Sequence, residues 1–330
     1  MAYPLARAAV FASVVGAGAL LSCVVPGGRE LTVQVPRGLE LFAPAPENNT
    51  LTGARVELGR RLFSDRALSV DRSVSCASCH RPNRLFADTV SVSPGVYGRT
   101  AKRNTPSLLN VAYARHLTWD GRSSTLEEQV LKPIQDPVEM DLSLDELVAR
   151  LGAQDEYRTA FRRAYGEPVS ADGVARALSA FLRTLRSGNA PLDRHRAGDP
   201  GAFSDSARAG FQLFVGKARC WLCHAGPTLA DGEFHNTGVS ARSRSDDSGR
   251  FKHTGDRADL RAFRTASLRN VDRTAPYMHD GSFATLEQVI DFYDEGGGPD
   301  ALRDPDLRPL RLSSEEKSQL TAFLRSLSGT

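Results

Sequence analysis

"SVSCASCHRPNRLFAD" (residues 73–88) sets two cysteines and a histidine in the order Cys76-x-x-Cys79-His80. Zinc binding, a redox dithiol and covalent haem attachment all use paired cysteines at this spacing. The choice depends on whether the pattern stands alone. It does not: "RCWLCHAGPTLAD" (219–231) repeats it at Cys220, Cys223 and His224.

More than the cysteines is repeated. "RNTPSLLNV" (103–111), "WDGRSSTLEEQV" (119–130) and "LSAFLRTLRSG" (178–188) follow the first motif, and "RTASLRNV" (264–271), "HDGSFATLEQVI" (279–290) and "LTAFLRSLSG" (320–329) follow the second. Ten positions separate Asn110 from Asp120, and ten separate Asn270 from Asp280. Such self-similarity marks a duplicated unit, so the chain reads as two related modules with one cysteine motif each. Both read as helical. Val174, Leu178, Phe181, Leu182 and Leu185 fall on one helical face, as do Leu320, Phe323, Leu324 and Leu327. Ser313 with Glu316, Thr125 with Glu128 and Thr285 with Gln288 have the spacing of capping boxes. Strand-like alternation is confined to short stretches such as "LTVQV" (31–35).

The repeat decides the chemistry of the cysteines. A four-cysteine zinc site brings its two pairs within about 15–20 residues of each other, whereas Cys79 and Cys220 lie 141 positions apart on separate repeats. A thioredoxin-like dithiol expects a βαβ setting and has no use for the histidine. Haem attachment accounts for all three residues. The thiols add across the haem vinyl groups and the adjacent histidine meets the iron. The sequence therefore predicts two covalently bound haem c groups, on Cys76, Cys79 and His80 and on Cys220, Cys223 and His224, with both histidines as proximal ligands.

Composition bounds the rest. The chain has 330 residues, 41% of them hydrophobic, enough for one large or two modest domains. Its net charge is +3, and its arginines are scattered, so no nucleic-acid partner is expected. At the amino terminus Arg7 precedes an apolar run from Ala8 to Leu21, the shape of a secretory signal. "LLSC" (20–23) resembles a bacterial lipobox, which makes Cys23 the expected lipidation site on the periplasmic side, with the outer membrane favoured. The count supports this: five cysteines are four for haem and one for lipid. The Pro- and Gly-rich residues 24–50 read as a tether.

After the tether the chain resembles the bacterial di-haem cytochrome c peroxidase and MauG superfamily. The likeness is carried by "SCASCH", "RNTPSLLNVAY", "WDGRSSTLEEQVLKPIQDPVEM", "AFLRTLRSG", "CWLCH", "TAPYMHDGSFATLEQVIDFYDEGG" and the last helix, and covers roughly residues 51–330. It implies a mostly α fold of two cytochrome c-type domains. The expected boundaries are 1–23 signal peptide, 24–50 tether, 51–205 for the haem 1 domain and 206–330 for the haem 2 domain.

The resemblance also implies roles. Glu139 in "DPVEM" maps to the acid–base glutamate, with Gln129 as its distal companion; the plainer alternative is two surface polar residues. Trp119 maps to a tryptophan between the haems, against the alternative of a core aromatic. Asn104, Thr274 and Pro276 match an inter-domain calcium site, whose oxygen donors suit a hard cation. In the superfamily's peroxidases a histidine shortly before the "RN" motif often plugs haem 1; here Val96 stands in that loop. The haem 2 ligand falls fourteen residues after the "PYxH" histidine, which is Tyr293, although Met278 is nearer to hand. The repeat agrees on geometry: Tyr293 lies 13 positions after Asp280, and Pro133 lies 13 after Asp120. Tyrosine is an attested haem ligand and proline is none, so haem 1 is expected open and haem 2 closed by Tyr293. The alternative is that Tyr293 only packs in its helix. Trp221, inside the second motif, is a candidate surface port for electrons.

The leading expectation is a haem-dependent peroxidase that uses hydrogen peroxide at haem 1 while haem 2 relays or stores oxidising equivalents, spent on residues of a partner protein as in MauG. One alternative reduces peroxide to water with electrons from a small cytochrome c or cupredoxin. A second is a non-catalytic di-haem electron carrier. The membrane enters only through the lipid, and a homodimer is one assembly kept open.

Overall fold

The computed structural model describes residues 28–330; the signal segment and Cys23 lie outside the described residues. Two helix pairs organise it. In the N-terminal half, Gly53–Ser64 packs along Ala171–Leu182, and in the C-terminal half Asp205–Val215 packs along Ser314–Arg325. The predicted apolar faces are what these pairs bury. Val174 and Leu178 enter the first core, and Leu320, Phe323 and Leu327 the second. Each pair closes at a glycine. A Cβ on Gly59 would lie 1.9 Å from the Ala177 carbonyl oxygen, and one on Gly210 would lie 1.9 Å from that of Gln319. Only a residue without a side chain lets the backbones approach so closely.

The duplication extends to hydrogen bonds. Asn110 and Asn270 both take the left-handed conformation, at φ 62° and 59°, which asparagine tolerates better than most residues. Their amides converge on one junction: Asn110 Nδ2 donates to Ser187 O and Asn270 Nδ2 to Ser187 Oγ, each at 2.9 Å. Gly188 and Thr330 exchange a pair of backbone hydrogen bonds beside it. The N-terminal half carries two further helices, Leu144–Gly152 and Asp155–Tyr165. Leu192 and Phe203, placed by sequence in the first module, pack in the second core.

The capping expectations are met in two ways. Ser313 and Glu316 form a reciprocal box. Thr125 and Thr285 accept from the N–H of Glu128 and Gln288, but the return bonds go one residue earlier, to Ser124 N and Ala284 N. The "LTVQV" stretch is not a strand. Among the described residues its pairing stops at the Leu31 N–H on Leu51 O and the isolated Glu30–Thr52 bridge. The short sheet that does form is elsewhere, Phe234–His235 antiparallel to Phe263–Arg264.

The described part of the 24–50 segment is laid across both halves. Arg37 and Asn189 bond each other twice, Arg183 Nε donates to Pro44 O, and Arg269 Nη2 donates to Gly38 O. The fully buried Asn49 bonds Glu127 and Arg176 O. The halves also meet through Arg103, which pairs with Asp120 at 2.6 Å and in bidentate fashion with Asp247 at 2.7 and 2.8 Å. His253 Nε2 lies 2.9 Å from Asp120 Oδ2.

Candidate functional site

Each cysteine motif is a single tight helical turn that turns its histidine inward. The His80 N–H closes on Cys76 O at 2.8 Å, and the His224 N–H on Cys220 O at 2.9 Å. Each imidazole Nδ1 then meets a backbone carbonyl, Phe86 O for His80 and Leu229 O for His224, both at 3.0 Å. A carbonyl only accepts, so the ring proton sits on Nδ1 and Nε2 keeps its lone pair, the tautomer that binds a metal. The loops that supply these carbonyls turn at left-handed residues, Leu85 and Phe86 at φ 55° and 57° and Leu229 at 54°. A serine hydroxyl holds each loop, Ser107 on Leu85 O and Ser267 on Thr228 O, both at 2.6 Å.

Burial lowers the pKa of both imidazoles and keeps them neutral. The same burial pushes the thiols of Cys76 and Cys220 up to about 12 and that of Cys79 up to about 11. A thiol held protonated is a poor zinc ligand and a poor nucleophile, whereas a thioether carries no charge and suits an apolar wall. The residues therefore fit haem attachment. A cavity of about 600 Å³ opens over His224, lined by Cys220 and Cys223, within the range of ~300–1,000 Å³ common for cofactor pockets.

That cavity gathers most of the residues singled out in the C-terminal half. Tyr293, Met278, Thr274 and Pro276 are on its wall, and Trp119 and Asn104 reach it from the N-terminal half. Tyr293 is half-buried there, and desolvation pushes its phenol pKa up. Leu286 and Val289 line the same wall from the Tyr293 helix. Their counterparts 160 positions earlier are Leu126 and Gln129, and that of Tyr293 is Pro133. The Trp119 indole N–H donates to Asn104 O at 2.8 Å, and the Asn104 N–H donates to His279 O at 2.7 Å. Asn104 Nδ2 donates to Val90 O and Ser91 O, which leaves its Oδ1 free to accept. Trp221 is 47% exposed.

Around the first motif two carboxyls stand out, the fully buried Asp88, which accepts from Ser93 Oγ at 2.6 Å, and the half-buried Glu139. Desolvation, with Asp136 adding to it, raises its pKa above the usual glutamate range, and its charge is felt by both Cys76 and Cys79. Val96 is fully buried and its N–H bonds Glu139 O at 2.9 Å. A Cβ on Gly95 would lie 2.1 Å from Val138 O, so the 93–100 loop and the Glu139 segment are pressed backbone to backbone. Gln129 accepts from Ser123 Oγ at 2.8 Å. His116 packs on Phe234 of the other half, and His195 on Phe203 and Phe211.

Three groups near the cavities had no signal in the sequence. Phe263 stacks on His279 at 3.6 Å, beside Trp119. Arg103 bridges the halves, as described. His235 is held between Asp304 at 2.6 Å and Asp231 at 3.0 Å, next to Cys223; both its ring nitrogens face carboxylates. Asp231 is four residues before His235, but Asp304 is 69 residues away from it and Asp247 is 144 from Arg103, so these groupings are not visible as a local pattern.

Comparison with known proteins agrees with this geometry. The profile of the di-haem cytochrome c peroxidase family matches residues 53–201. The methylamine utilization protein MauG of Methylorubrum extorquens is 41% identical over 286 residues, covering 86% of this chain and 81% of that protein. The cytochrome c551 peroxidase of Nitrosomonas europaea is 31% identical, covering 87% and 82%. Among solved structures, a MauG-like protein associated with microbial copper homeostasis superposes with a TM-score of 0.84 at 36% identity, covering 91% of this chain and 96% of that one. Two cysteine–histidine motifs, each with its imidazole prepared for iron, thus sit in a chain that belongs to the di-haem cytochrome c peroxidase family, a haem peroxidase with MauG among its relatives.

Proposed function

We propose that hydrogen peroxide reacts at haem 1, whose distal face is open in the resting ferric protein, and that the oxidising equivalents pass through haem 2 to residues of a partner protein. The observation that carries this reading is the pair Pro133 and Tyr293. Equivalent positions in the two repeats present a side chain with no donor atom in one module and a half-buried phenol on the cavity wall in the other. Val96, packed under Glu139, offers no donor either. When bound, haem supplies the iron that takes up peroxide and the electrons that split its O–O bond. Glu139 takes the proton from the oxygen that binds and delivers it to the oxygen that leaves as water. Its raised pKa suits both halves of that transfer. Trp119, placed between the modules, carries electrons between the two sites. A calcium ion held by Asn104 and the backbone oxygens of Thr274 and Pro276 braces that junction. Cys23 anchors the exported chain by lipid on the periplasmic side.

Mixing the fully ferric protein with one equivalent of hydrogen peroxide tests the reading. An absorption change within milliseconds, with no prior reduction, is expected. No change until one electron is added would mean that haem 1 carries a sixth ligand. The likeness of the chain to cytochrome c551 peroxidases and the exposed Trp221 favour a second reading, reduction of peroxide with electrons from a small redox protein. Tyr293→Phe separates the ligand question from both. It is expected to leave both haems attached and to change the haem 2 spectrum; an unchanged spectrum would show that Tyr293 only packs in its helix.

A further inference from the structure

The side chains around Lys132 have a donor–acceptor polarity that can be read atom by atom. Lys132 Nζ touches three acceptors: Glu128 Oε1 at 2.6 Å, Ser123 Oγ at 2.7 Å and Arg122 O at 3.0 Å. An ammonium has three hydrogens and no lone pair, so it donates to all three. Ser123 Oγ therefore accepts from Lys132, and its own hydrogen is left for Gln129 Oε1 at 2.8 Å. The Gln129 amide is consequently held with its oxygen toward Ser123 and its NH2 away from it, and Nε2 has no protein partner among the described residues. Gln129 is three residues on from the buried Leu126, on the same helical face. Its repeat counterpart Val289 lines the haem 2 cavity.

We infer that Lys132 is a positioning residue, which through Ser123 fixes the Gln129 side chain so that its NH2, rather than its carbonyl, points at whatever binds on the distal face of haem 1. This rests on the reading that haem 1 is the open, peroxide-binding site. On this reading Gln129 serves as a hydrogen-bond donor and Glu139 as a proton acceptor, so the two oxygens of an incoming peroxide meet different partners. Without Lys132 the Ser123 hydroxyl can turn, the amide can flip, and the donor becomes an acceptor that repels an oxygen lone pair.

Fluoride and carbon monoxide report on this without turnover. Fluoride only accepts hydrogen bonds, and a donor to bound carbon monoxide lowers its C–O stretching frequency. In the di-haem protein carrying Lys132→Met, fluoride is expected to bind ferric haem 1 about ten-fold more weakly, the worth of one hydrogen bond. The ferrous–CO stretch should move to higher frequency. Ser123→Ala should reproduce both shifts, and the double variant should lose no more than either single one, because the three residues act in series. Equal affinity and an equal C–O stretch in wild type and Lys132→Met would overturn the inference, and so would losses that multiply in the double variant. If the wild-type protein binds neither probe at haem 1, it is the open-haem reading that fails.

Discussion

Glu139→Gln is expected to slow the reaction of the ferric protein with hydrogen peroxide by about 10²–10⁴-fold, the usual worth of a positioned acid–base group. Glutamine has nearly the same shape, so both haems should remain attached and their resting spectra unchanged. The effect is on proton movement: an amide cannot take the proton from one peroxide oxygen and return it to the other. The pH dependence follows from the same residue. Burial raises the Glu139 pKa, and a protonated carboxyl cannot act as a base. The wild-type rate should rise with pH through an inflection above the usual glutamate range and fall below it, and Glu139→Gln should remove that inflection. Stability runs the opposite way. A carboxyl whose folded pKa is raised favours the fold most below its unfolded pKa, and that stability is lost as pH rises through its folded pKa, so Glu139→Gln should be at least as stable as wild type near neutral pH. Stopped-flow rates and thermal melts across pH check both halves. An unchanged rate in this variant would favour the non-catalytic electron carrier.

The second large effect is on the fold. Asp193 and Arg269 form a bidentate pair, Nη1 to Oδ2 at 2.8 Å and Nη2 to Oδ1 at 2.9 Å, with both side chains almost wholly buried. Arg269 also donates to Pro227 O, in the loop after the second cysteine motif, and to Gly38 O, in the segment laid across the halves. Gly38 is at φ 92°, and a Cβ there would fall 1.9 Å from Asp193 Oδ1, so three stretches of chain meet at one carboxylate. Asp193→Ala leaves a guanidinium buried without its counter-charge, which costs about 3–5 kcal/mol. For a unit of this size that lowers the midpoint of its thermal transition by roughly 10 °C. The double variant Asp193→Ala, Arg269→Met should recover much of the loss, because the uncompensated charge and not the missing bond is the larger cost. A fall of only a degree or two in the single variant would show that Arg269 finds other partners.

The helices and the haem attachment were legible because their signals are local. Intervals of three and four named the faces buried by Ala171–Leu182 and Ser314–Arg325, and three residues within five positions named each attachment site. The repeat added the equivalence of Pro133 and Tyr293, which no single motif contains. The "LTVQV" stretch misled because alternation states a preference for a sheet face, and a strand needs an edge to pair with. What only the tertiary structure decided depends on groups distant in sequence. Lys132 is an ordinary surface residue until Ser123 and Gln129 are seen beside it. Arg103 is one arginine among many until Asp120 and Asp247 converge on it, and the raised pKa of Glu139 comes from burial that spacing does not encode. Covalent chemistry and helical period act over a few residues and can be read in order along the chain. Burial, hydrogen-bond direction and charge pairing act through space, and they exist only once the two modules have closed on each other.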